Sequence, residues 1–140
     1  MVRATANMQS NRLTVLLANE QEDWHRTVRG LLEPQGVRAV SVRTGREVLD
    51  VLDHNDVHVV VLDTQMPQLG GMQVIKMLQQ RGKTLPAILL TDHLTNQLMH
   101  EALSLNVFSV LSKPVDYGAL LDSLARVVKR HYEGRWPGDS

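Results

Sequence analysis

Apolar residues gather in five short runs, separated by segments in which they recur every three or four positions. The runs are LTVLLA from Leu13, VRAVSV from Val37, VHVVVL from Val57, AILL from Ala87 and VFSVL from Val107. The first, third and fourth are nearly unbroken Val, Ile and Leu, the pattern of strands buried on both faces of a parallel sheet. Helical stripes lie between them. Trp24, Val28, Leu31 and Leu32 form one; Val48 and Leu52 a shorter one; Met72, Ile75 and Leu78 a third; Leu98, Ala102 and Leu105 a fourth. The longest runs through Leu120, Leu121, Leu124, Val127, Val128 and His131. Pro34 with Gly36, and Gly82 ahead of Pro86, mark helix ends.

The order is therefore a strand and a helix, five times over. Connections this short force each right-handed crossover to pack back on the sheet, so the sheet is parallel and covered on both faces. The fold predicted is α/β: a doubly wound, flavodoxin-like (βα)5 three-layer sandwich with strand order 2-1-3-4-5. A flexible leader is expected at 1–11, the folded domain at 12–131 and a flexible tail at 132–140. No DNA-binding or enzymatic output domain is expected after the last helix.

Composition narrows the partners. A chain of 140 residues that is 43% hydrophobic suits one core. Its fifteen basic residues balance its fifteen acidic ones, which removes the simplest electrostatic case for nucleic acid or an anionic membrane. The chain has no cysteine, which excludes disulfides, thiolate metal sites and thiol nucleophiles. No run approaches the roughly 20 apolar residues of a membrane span, and MVRATANMQSNR lacks a signal peptide's apolar centre. The expectation is a cytoplasmic protein with no membrane and no direct nucleic-acid partner.

Ligands of such sheets bind beyond the carboxyl ends of the strands, where the strand order reverses. Those ends carry Asn19 and Glu20, then Asp63, then Thr91 and Asp92, and finally Lys113 before Pro114. This set suits transfer of a phosphoryl group to a carboxylate. Asp63 is the candidate nucleophile. Glu20, Asp63 and a backbone carbonyl just beyond it are oxygen donors of the kind Mg²⁺ takes, and the ion would neutralise phosphoryl oxygens during in-line transfer. Lys113 is placed to pair with the acid or the phosphoryl group, and the Thr91 hydroxyl to donate to a phosphoryl oxygen.

With NE after the first strand, DTQMPQLGG after the third, LLTD after the fourth and SKP after the fifth, the chain resembles a response-regulator receiver domain from about Leu13 to Arg130. The joint spacing of Asp63, Met66-Pro67, Gly71, Thr91 and Lys113-Pro114 carries the resemblance. It implies transfer to Asp63 from a histidine kinase or a histidine phosphotransfer protein, Mg²⁺ dependence, and signalling through a shift in the face made by helix four, strand five and helix five. That face is also where a homodimer would form. The resemblance further implies that Gln65 supplies the carbonyl metal ligand, that Met66 and Pro67 shape the loop, and that Gly71 opens helix three.

Three positions depart from the family pattern. Asn19 replaces the first of two acids, which weakens metal binding without abolishing it. Asp92 stands where the family prefers a small residue; its carboxylate either opposes the phosphoryl charge and competes for Lys113, or turns out to solvent or caps helix four. Val110 occupies the usual place of the switch aromatic. Phe108 lies two residues earlier and, by strand alternation, is expected on the same face.

The six histidines share no metal spacing and are expected to be exposed or satisfied locally. The methionines read as core filling, and the basic run VKRHYEGR as a helix C-terminal cap. Two function classes stand: a phosphorylatable receiver, and a degenerate receiver acting as a constitutive protein-binding module. A haloacid-dehalogenase-like phosphatase would need a second acid where Gln65 stands, and a flavin carrier would need a phosphate cradle that ANEQEDW lacks.

Overall fold

A computed structural model describes residues 12–132; the expected leader and residues 133–140 of the expected tail lie outside them. The elements follow in the order β1 (Thr14–Ala18), α1 (Glu22–Leu32), a 3-10 turn (Glu33–Gln35), β2 (Arg38–Val42), α2 (Gly45–His54), β3 (Val59–Asp63), α3 (Gly71–Gln80), β4 (Ala87–Thr91), α4 (Asn96–Ser104), β5 (Ser109–Ser112) and α5 (Tyr117–Tyr132). Helix α5 thus runs one residue into the stretch assigned to the tail. The Tyr132 hydroxyl donates to the carbonyl of His58, which ties the end of α5 to the start of β3.

The five strands form one sheet in the order β2-β1-β3-β4-β5, every pair parallel, as the strand–helix alternation predicts. Side-chain alternation divides the core in two. Val15, Leu17, Val59, Val61, Ile88 and Leu90 face α1 and α5, where Trp24, Val28, Leu32, Leu120, Leu124, Val127 and Val128 bury against them. Leu16, Ala18, Val60, Leu62 and Leu89 face the other way, onto Val48, Leu49 and Leu52 of α2, Val74, Ile75 and Leu78 of α3, and Ala102 of α4. Every residue of β1, β3 and β4 is buried, which is why those runs read as continuous.

Local chemistry sets the boundaries. Thr44 accepts from the Glu47 N–H at the start of α2, and Thr95 from the Leu98 N–H at the start of α4. Gly36 and Gly82 take left-handed φ of 86° and 72° where the chain leaves the 3-10 turn and α3. Both were expected as helix ends.

Strand β5 corrects one expectation. Phe108 does not share a face with Val110, because it precedes the strand's first residue and alternation does not reach it. Its ring turns to α5, 5.9 Å from the His131 ring and under the Arg126 guanidinium, whereas Val110 packs with the α2–α4 side. Phe108 is therefore at the opposite end of β5 from Lys113.

Candidate functional site

Parallel pairing brings the carboxyl ends of four strands to one edge. Asp63 pairs in register with Leu90 and Thr91 with Ser112; the Lys113 N–H donates to Thr91 O at 2.8 Å, and the Asn19 N–H to Val42 O at 3.2 Å. Asp63 ends a strand in which every residue is buried and is itself only 2% exposed. A carboxylate held so far from water needs partners. It has two: the Gln65 N–H donates to Oδ1 at 2.9 Å, and the Lys113 ammonium is hydrogen-bonded to Oδ2. Lys113 precedes Pro114 across a cis peptide bond.

The loop between β3 and α3 closes tightly over this edge. A Cβ on Gly71 would lie 2.7 Å from the Asp63 carbonyl, and one on Gly70 would lie 2.3 Å from that of Thr64, so only glycine lets α3 begin this close beneath the loop. Gly71 is the first residue of α3, as expected. Gln68 takes a left-handed φ of 72°, and the Leu69 N–H donates to Pro67 O at 2.9 Å, which turns the chain back.

Beside Asp63 lies an open hollow of about 530 Å³ lined by Glu20, Thr64, Gln65, Met66, Pro67, Gly70, Met72 and Gln73. Glu20 and Gln65 are both exposed and share this space. The available donors are carboxylate and carbonyl oxygens, the kind that hard cations such as Mg²⁺ take. Among the described residues no three His, Cys, Asp or Glu side chains converge as a metal cluster, so carbonyl and water oxygens must complete any shell. A second, apolar hollow of about 290 Å³ opens at the opposite edge of the sheet, near Leu78, Leu85 and Phe108, away from Asp63.

The neighbouring residues differ from their expected orientations in informative ways. Asn19 is buried, and its Oδ1 accepts from the Gln21 N–H at 2.8 Å, a local turn that keeps the side chain within the β1–α1 loop. The buried Thr91 Oγ1 is engaged with His93, accepting from its N–H at 3.2 Å and lying 3.3 Å from its carbonyl. Asp92 does not cap α4, since Thr95 does; its Oδ2 lies 3.9 Å from the Lys113 ammonium. Lys113 is therefore shared between two carboxylates.

His25 was not singled out by the sequence and proves structurally important. It is 2% exposed, and its Nε2 lies 2.6 Å from the Asn19 carbonyl, to which it must donate because a carbonyl only accepts. Its ring meets Trp24 edge-on at 5.2 Å. The signal was available: His25 is three residues before Val28 and seven before Leu32, on the buried stripe of α1.

The response regulator receiver domain model matches residues 15–125. The chain belongs to that family. Its relatives include the C4-dicarboxylate transport transcriptional regulatory protein DctD of Pseudomonas aeruginosa, 31% identical over 116 residues, which are 82% of this chain and 25% of that protein. The sensory/regulatory protein RpfC of Xanthomonas campestris is 29% identical over 128 residues, 89% of this chain and 17% of that protein. This receiver domain thus spans a quarter or less of both. Among solved structures, the receiver domain of the Francisella response regulator 1452 superposes with a TM-score of 0.80 at 24% identity, covering 85% of this chain and 98% of that one. A signal receiver domain from Pseudomonas fluorescens Pf-5 gives 0.80 at 25% identity, covering 89% and 100%. The receiver fold and membership in a two-component signalling family follow. No described helix is long and apolar enough to cross a membrane.

Proposed function

We propose that this receiver domain accepts a phosphoryl group on Asp63 from the phosphohistidine of a histidine kinase or a histidine phosphotransfer protein. The observation that carries the reading is the ion pair between the nearly buried Asp63 and Lys113 at the carboxyl edge of the sheet. An Asp63 oxygen forms the new O–P bond while the donor's P–N bond breaks, and the departing imidazole nitrogen takes a proton. Lys113 is placed to follow the charge from carboxylate to phosphoryl oxygens. Glu20, Asp63 and the Gln65 carbonyl would hold Mg²⁺, whose contribution when bound is to neutralise phosphoryl oxygens. Thr91 donates to a phosphoryl oxygen only by turning its hydroxyl proton away from the His93 carbonyl, so that donation belongs to the phosphorylated form.

The output of this domain is a changed affinity for a protein partner. Leu94, Met99 and Leu103 stand exposed on and before α4, which supports the face of α4, β5 and α5 as the contact surface, for a partner or for a second copy in a homodimer. One test is transfer itself: label carried on a partner's phosphohistidine should move to the wild-type chain and not to Asp63→Asn. Label that moves equally to both would place the acceptor elsewhere.

A second reading is a receiver that binds its partner constitutively. The Asp92–Lys113 contact favours it, since a lysine already drawn toward Asp92 is less free to follow the charge from the Asp63 carboxylate to its phosphoryl oxygens. Equal partner affinity before and after incubation with donor and Mg²⁺ would select this reading.

A further inference from the structure

Asp92 stands immediately after β4, with its side chain 47% exposed and its Oδ2 3.9 Å from the Lys113 ammonium. The same ammonium is hydrogen-bonded to Asp63, whose side chain is only 3% exposed. One hydrogen-bond length beyond that 3.9 Å leaves the two carboxylates within about 7 Å of each other. A phosphorus bonded to Asp63 therefore lies within about 9 Å of the Asp92 carboxylate, inside the range where unscreened charges still act on one another. The cap of α4 is Thr95, so no helix terminus holds Asp92 in another role.

We infer that Asp92 is a donor-specificity residue: it disfavours small, doubly negative acyl phosphates relative to N–P donors whose protonated nitrogen lowers the net charge, such as phosphoramidate. The inference rests on Asp63 being the acceptor. The two donor classes lead to the same product by different bond changes. From acetyl phosphate, the O–P bond to Asp63 forms as the acyl C–O–P bridge breaks at phosphorus, and acetate leaves as an anion needing no proton. From phosphoramidate, the P–N bond breaks, and ammonia leaves with the protons its nitrogen already carried. Near neutral pH the first donor brings two negative charges and the second a net one. At about 6 Å, each further unit of donor charge facing Asp92 slows capture roughly three- to tenfold for effective dielectrics between bulk water and half that value. A donor histidine embedded among a partner's Lys or Arg side chains escapes this penalty, because those cations can pair with the exposed Asp92 carboxylate.

The test compares initial rates of mass gain with acetyl phosphate and with phosphoramidate, each with Mg²⁺, for the wild type, Asp92→Asn and Asp92→Ala. The wild type should react faster with phosphoramidate. Asp92→Asn, which keeps size and removes charge, should accelerate the acetyl phosphate reaction about three- to tenfold more than the phosphoramidate reaction, and high salt should narrow the difference. An unchanged ratio of the two rates in Asp92→Asn overturns the inference while leaving Asp63 as acceptor. A change seen only in Asp92→Ala also overturns it, by showing that bulk and not charge discriminates. Failure of every variant to react with either donor would instead remove the phosphoacceptor reading on which the inference stands.

Discussion

Lys113 and Asp63, fifty residues apart in the chain, are ion-paired where β3 and β5 end on either side of β4. Neither residue is adjacent to the other's strand. Only the sheet order places the lysine over the acid, and the buried position of Asp63 makes that pairing necessary.

Lys113→Ala should leave the far-ultraviolet circular dichroism spectrum unchanged, because Lys113 lies outside β5 and contributes nothing to either core layer. Chemical denaturation should show a loss of about 1 to 3 kcal/mol, less than the cost of stripping one partner from a fully buried pair, because the lysine is partly exposed and Asp63 keeps its bond from Gln65. The phosphorylated variant should bind its partner no better than the unphosphorylated one. Failure to fold would show that Lys113 is a structural residue.

Thr95 and Asp92 separate stability from chemistry. Thr95→Ala removes the hydroxyl that caps α4 and should lower stability by about 0.5 to 2 kcal/mol. Asp92→Ala touches no cap and should stay within about 0.5 kcal/mol of the wild type, while raising the phosphorylated fraction at fixed donor. The opposite ranking by thermal melting would return Asp92 to a capping role.

Tyr132 couples stability to pH at the alkaline end. Burial raises its hydroxyl above the ordinary value of 10.0, so the folded state holds this proton more tightly than the unfolded chain. The resulting stability is fully present below pH 10 and is lost as pH rises through the higher folded value. At neutral pH Tyr132→Phe should cost about 0.5 to 1.5 kcal/mol, the worth of its bond to His58 O. Above pH 10 the wild type should lose stability faster than the variant, so denaturation curves taken across that range should converge. Parallel curves would mean that the hydroxyl does not couple to folding.

The sheet was legible because every strand and helix announced itself by periodicity, and the short connections left one topology. That Asp63, Lys113 and Glu20 lie at one edge was legible for the same reason: they stand at or just beyond strand ends, and strand ends meet; Gln65 came only from the family resemblance. What escaped was decided by single hydrogen bonds. Thr91 could donate into the site or turn back on His93, and its place after β4 is the same in either case. Asp92 looked equally able to cap α4 until Thr95, three residues later, proved to hold that position. Phe108 was assigned a face by alternation, which begins one residue after it, at Ser109. His25 was grouped with the other histidines as exposed or satisfied locally, although its place on the apolar stripe of α1 marked it as buried.

The central claim is tested most directly by intact mass after incubation with phosphoramidate and Mg²⁺, wild type beside Asp63→Asn. The wild type should gain the mass of one phosphoryl group, and withholding Mg²⁺ should greatly reduce the gain; Asp63→Asn should gain nothing. A wild type that never gains mass, or an Asp63→Asn chain that gains it equally, would contradict the account.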